Sequence, residues 1–183
     1  MTPLRVVAIV VFAVGMATFA TRGFMRAAGE RKRPLSAPAA FAGEHRRLLE
    51  HRADSILGID GRTRQSVAYG FPSTRPVVAF LYQSTCQACL VAKLTWERTA
   101  HLVGDRAHMI AATLDAPRAA NPFLEVPLVA DLHLDLPSFR RAFAVSEVVP
   151  ITVLIERNGQ VSWARIGPLD AASTALLLDA LPP

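Results

Sequence analysis

Hydrophobic and polar positions follow three regimes along the chain. Val6 to Thr21, VVAIVVFAVGMATFAT, is an unbroken run of sixteen uncharged, mostly apolar residues. It is apolar on every side, which argues against a one-faced core helix. From Arg31 to Arg47 the pattern dissolves: RKRPLSAPAAFAGEHRR mixes basic, Pro and Ala residues and predicts a linker. Leu48, Leu49 and Ile56 then recur at near-helical spacing, which predicts a short helix over about Gly43–Leu57.

The third regime alternates between strand-like and helix-like runs. ILGIDGRTRQSVAYGF (56–71) predicts a weak hairpin or edge strand. RPVVAFLYQS (75–84) is a continuous apolar run after a proline and predicts a buried central strand. TCQACLVAKLTWERTAHLVG (85–104) switches to a helical period, with Leu90, Leu94, Ala100 and His101 along one side. Thr85 is its expected N-cap and Gly104 its stop. AHMIAATLDA (107–116) predicts a second buried strand, and NPFLEVPLVAD (121–131) a loop with a short apolar piece. LPSFRRAFAV (136–145) predicts a helix with Pro137 in its first turn and Phe139 and Phe143 on its core side. VVPITVLIERNGQVSWARIG (148–167) predicts two strands joined at Asn158-Gly159, and LDAASTALLLDAL (169–181) a closing amphipathic helix. Strands joined by helices should run parallel and the final hairpin antiparallel, giving an α/β architecture with a central mixed sheet flanked by helices. The predicted organisation is residues 1–26 as a membrane anchor or signal segment, 27–55 as a linker carrying a short helix, and 56–183 as the folded domain.

Charge sharpens this division. The chain has a net charge of +5. Residues 1–33 alone carry +5, and residues 34–183 balance 14 basic against 14 acidic groups. The folded part has no excess charge to drive phosphate binding, so nucleic acid is not an expected partner. The apolar run is slightly short for a spanning helix, but snorkelling by Arg5 and Arg22 stretches it to Leu4–Met25. A cleaved signal peptide is the rival reading; the lack of an A-x-A site favours an uncleaved anchor. The basic residues after the run, Arg22 to Arg33, point by the positive-inside rule to a cytoplasmic domain.

Two cysteines exclude a disulfide framework. They are Cys86 and Cys89, three positions apart where a predicted strand gives way to a helix. Unpaired N–H groups at a helix N-terminus stabilise an anion, which makes Cys86 the candidate nucleophile. Cys89 lies about one turn on, placed to resolve a mixed disulfide. Lys93 is the one titratable neighbour within the next turn, so any proton acceptor must come from elsewhere in the fold. A structural disulfide and half a zinc site are the alternatives; His101, His108 and His133 show no ligand spacing. Trp96 and Trp163 read as packing or surface aromatics, and Tyr82 and Gln83 as lining a substrate groove.

VVAFLYQSTCQAC, followed after a strand and a helix by RRAFAVSEVVPITVLIERNGQVSWARIG, resembles the thioredoxin superfamily over residues 56–182. Within it the chain is most similar to membrane-anchored TlpA/ResA-like and MauD-like proteins. The resemblance implies a thioredoxin-like fold and a redox-active Cys86–Cys89 disulfide. It also implies a cis Pro150 against that disulfide and a Val149 backbone that pairs with an extended substrate. It implies thiol–disulfide exchange with periplasmic protein thiols, with no cofactor or metal, and with electrons from a membrane donor. That favours a periplasmic domain on a single-pass inner-membrane anchor, against the charge pattern. Cytochrome c maturation, amine dehydrogenase maturation and general thiol reduction all fit. Departures from the family are Thr85 for Trp, Ala88 for Pro and Phe80 for a buried acid. A copper carrier or an idle maturation scaffold is the alternative function.

Overall fold

The computed structural model describes residues 41–117, 128–145 and 149–182. The predicted anchor, 1–26, and most of the predicted linker lie outside the described residues. No helix among those described is long and apolar enough to cross a membrane.

Helix α1 (Ala42–Glu50) leads into a hairpin, β1 (Ser55–Asp60) and β2 (Ser66–Gly70). Strand β3 (Val77–Tyr82), helix α2 (Gln87–Val103) and strand β4 (His108–Thr113) follow. Then come β5 (Ala130–His133), α3 (Leu136–Phe143), β6 (Ile151–Ile155), β7 (Val161–Ile166) and α4 (Ala171–Ala180). The strands form one mixed sheet in the order β2-β1-β5-β4-β3-β6-β7. The pairs β3–β4 and β4–β5 are parallel; β1–β2, β1–β5, β3–β6 and β6–β7 are antiparallel.

All six residues of β3 are buried, because this strand is central and covered on both faces. Alternate side chains enter two cores. Val77, Ala79 and Leu81 meet Leu48 of α1 and Phe139 and Phe143 of α3, whose rings lie 5.3 Å apart. Val78, Phe80 and Tyr82 meet Trp96 of α2 and Leu177 of α4. Trp96 is fully buried 5.4 Å from the Phe80 ring, and its indole N–H donates to Thr152 Oγ1 at 2.8 Å. Trp163 is half-buried on β7.

Several expectations are corrected. The helix expected over 43–57 stops at Glu50, since the backbone beyond is taken by extended pairing: Ala53 N–H donates to the Gly159 carbonyl and Ile56 faces Tyr69 in β1–β2. It lies in the stretch read as linker, yet its Leu48 is fully buried against the sheet and His45 Nε2 bonds the Ala164 carbonyl at 3.0 Å. The piece read as a loop with an apolar stretch supplies a true strand, β5, too short to show an alternating pattern. The inner face of α2 is Cys89, Ala92, Trp96, Thr99, Ala100 and Val103. Leu90, Leu94 and His101 point outward, with Leu94 76% exposed, so the longer aliphatic side chains misled the reading of this helix.

Candidate functional site

The site lies where β3 ends and α2 begins, and strand register explains which residues meet there. Antiparallel β3–β6 pairs Leu81 with Ile151, so the residues just before β6, Val149 and Pro150, come beside the loop after β3. Parallel β3–β4 pairs Tyr82 with Thr113, which carries Asp115 to the side of Ser84.

Cys86, not Thr85, caps α2. Its backbone is extended and its Sγ accepts the Cys89 N–H at 3.1 Å. Cys86 N–H in turn donates to the Gln83 carbonyl at 3.1 Å, closing a tight turn into the helix. Cys86 is half-buried and Cys89 fully buried, and both are free thiols here. Burial pushes the Cys89 thiol up to about 12; the adjoining Cys86 sulfur adds to this, and the Gln83 backbone opposes it. The thiols therefore have distinct chemistry: one reaches solvent at a helix N-terminus, and the other is sealed one turn below.

The Val149–Pro150 peptide is cis, and the Val149 carbonyl lies 3.8 Å from Cys86 Sγ. Pro150 is buried and its carbonyl accepts Gly167 N–H at 2.8 Å. Lys93 pairs with Glu97 at 3.8 Å, four residues along α2. Tyr82 does not line a groove: it is 1% exposed and its hydroxyl reaches Asp131 Oδ1 at 3.4 Å. Burial, with the Asp131 and Asp115 charges, pushes its phenol well above the ordinary range. Gln83 is half-buried and takes part through its backbone.

Asp115 is the site residue that pattern reading missed. Its Oδ2 accepts Ser84 N–H at 2.7 Å and the Thr113 hydroxyl at 2.9 Å, while its carbonyl bonds His133 Nδ1 at 3.1 Å. The available signal was the parallel pairing of the strands before and after α2, which sets their ends side by side. Among the described residues no cluster of three or more His, Cys, Asp or Glu side chains could hold a metal ion.

No protein-family model matches the chain, and no curated protein matches it significantly. Solved structures do. The peroxidoxin BcpB from Mycobacterium tuberculosis is 16% identical with a TM-score of 0.56, covering 73% of this chain and 97% of that one. The exposed lipoprotein thioredoxin from Streptococcus pneumoniae is 12% identical with a TM-score of 0.52, covering 69% and 99%. The thioredoxin domain of a thiol-disulfide oxidoreductase from Bacteroides vulgatus is 13% identical with a TM-score of 0.52, covering 70% and 94%. At such identities the likeness is one of fold: the chain has an α/β thioredoxin-like fold, a mixed central sheet flanked by helices.

Proposed function

We propose that this protein is a membrane-anchored thiol–disulfide oxidoreductase that exchanges disulfides with periplasmic partner proteins. The observation that carries the reading is the pairing of a half-exposed Cys86, N-cap of α2, with a buried Cys89 whose amide donates to the Cys86 sulfur. A helix N-terminus favours negative charge on the capping atom, so Cys86 acts as the attacking thiolate. It attacks one sulfur of a partner disulfide; the Cys86–partner bond forms, and the other partner sulfur leaves as a thiolate. Cys89 then displaces the partner, and the Cys86–Cys89 disulfide forms as the partner gains two electrons. The same steps in reverse oxidise partner thiols.

The Val149 backbone beside Cys86 suits an extended partner segment. Val149 N–H donates to none of the described residues, leaving a donor beside the reactive sulfur for β-type pairing. Two of the similar structures are a thioredoxin and a domain of a thiol-disulfide oxidoreductase, and the first of these is an exposed lipoprotein. Anchoring through residues 1–26, a domain outside the cytoplasm and a membrane electron donor complete the proposal.

Replacing Cys89 with Ser should trap partners as mixed disulfides on Cys86, seen as reducible high-mass adducts on non-reducing gels. Cys86→Ser should give none. Adducts on Cys86→Ser but not on Cys89→Ser would reverse the two roles, and their absence from both would end the exchange reading.

A further inference from the structure

Helix α2 buries one side against the sheet and leaves the other uncovered. At about 100° per residue, Leu90, Val91, Leu94 and Leu102 share an outer arc of about 120° with Gln87, Arg98 and His101. The four aliphatic side chains are 47%, 64%, 76% and 52% exposed in that order. Single exposed leucines need no explanation, but apolar side chains gathered on one helix face mark a surface made for contact.

The charges around the arc have one sign. No carboxylate lies on it, and Arg98 is exposed within it. Glu97, at its border, pairs with Lys93 at 3.8 Å. Asp105, just past the helix, pairs with Arg75 at 3.8 Å. Arg106 lies beside it and donates to the Leu102 and Leu178 carbonyls. Arg75, Lys93, Arg98 and Arg106 against Glu97 and Asp105 leave a local charge of +2, although residues 34–183 balance overall.

We propose that the outer arc of α2 docks on an anionic lipid surface, a role that rests on the anchored reading above. A convex ridge of aliphatic side chains bordered by cations fits the boundary between acyl chains and phosphate head groups. A protein partner is oriented by charges of both signs, and this ridge offers no unpaired acid for that purpose. Residues 27–40, between the predicted anchor and the described residues, span at most about 50 Å when extended. A bilayer tethered within that reach is present at high effective concentration, so a shallow contact is enough to hold it. Cys86 caps the same helix one turn before Leu90. Docking therefore sets the reactive sulfur at head-group level and directs exchange to thiols at the membrane surface.

The test uses the full chain in phosphatidylcholine vesicles with and without phosphatidylglycerol, each doped with a lipid carrying a diazirine near its glycerol. After illumination, lipid adducts are mapped by mass spectrometry. With phosphatidylglycerol, adducts should fall on residues 90–102 as well as on 1–26, and rarely elsewhere. Those on 90–102 should drop at least about fivefold on pure phosphatidylcholine and in Leu94→Asp, while those on 1–26 persist. Adducts on α2 no denser than on α3 or the β1–β2 hairpin, with 1–26 labelled, overturn the proposal. Equal labelling of α2 on neutral vesicles overturns it as well. So does Leu94→benzoylphenylalanine crosslinking to a protein in cell membranes where α2 takes no lipid, which would assign the arc to a protein partner. A chain unlabelled on 1–26 that does not sediment with vesicles would instead sink the anchored reading itself.

Discussion

Cys86 and Cys89 show how much a single turn of helix can separate two identical side chains. The first meets the Cys89 N–H and solvent, and the second is buried in the core that also holds Trp96, Ala92 and Phe80. Gly159 makes a comparable point about backbone. Asn158-Gly159 marks a turn in the sequence, but the turn alone does not demand glycine as strongly as its surroundings do. Its φ is +90°, and a Cβ built there would lie 2.0 Å from the Ala53 carbonyl oxygen, in the segment joining α1 to β1. That approach follows from the Ala53 N–H bond to the Gly159 carbonyl at 2.9 Å, which ties the hairpin tip to the α1–β1 connection. Gly159→Ala should therefore lose stability by at least about 1–3 kcal/mol, through a disfavoured φ together with a backbone clash. Urea unfolding should show a lower midpoint at an unchanged slope. A midpoint equal to that of the unsubstituted chain would mean that the tip moves away without cost.

Among the elements, helix α4 carries the clearest local signal. Asp170 caps it, with Oδ1 accepting Ser173 N–H at 2.7 Å, and Arg165 lies 3.6 Å from the other oxygen. The Ser173 amide and then its hydroxyl hold the Asp170 carboxyl below the ordinary carboxylate range; partial burial opposes them and Arg165 assists. A carboxyl depressed in the folded state stabilises fully above its unfolded value of about 3.9, and the contribution disappears as pH falls through the lower folded value. Asp170→Ala should cost about 1 kcal/mol at neutral pH, and the gap from the unsubstituted chain should close in acid. A gap that persists below that range would assign the cost to packing rather than to the charged cap. Elements with strong local signals were legible in the sequence: β3 by its apolar run, the β6–β7 hairpin by its turn, and α3 by Pro137 and its two phenylalanines. What escaped was set by tertiary contact. Strand β5 has four residues, all buried, and so no alternation to read. The inner face of α2 is built from Cys, Ala and Trp, while the leucines at 90 and 94 face outward. At the site both cysteines were legible from their spacing, and Val149 and Pro150 from the family likeness. Asp115 reaches the loop only through pairing of β3 with β4, a register that no local pattern encodes.

At the scale of the whole molecule, the decisive property is the division between residues 1–33, which carry the entire net charge, and the balanced remainder. Under the anchor reading, membrane attachment rests on Val6–Thr21 and its flanking arginines. Two physical arguments then disagree on which side the folded unit faces. Basic residues between Arg22 and Arg33 favour retention in the cytoplasm. A dithiol site working by exchange favours an oxidising compartment, where the same basic residues would instead contact anionic lipid head groups. The two cysteines supply their own topology probe, because Cys86 is half-exposed and Cys89 fully buried. In intact spheroplasts reduced by an impermeant phosphine, an impermeant maleimide should label the full chain once, and Cys86→Ser should abolish the label. The labelled chain should sediment with membranes through high salt and alkaline carbonate, whereas a chain lacking residues 1–33 should not. Labelling that appears only after lysis would put the site in the cytoplasm, so that the charge argument wins and the partners are to be sought among cytoplasmic thiols.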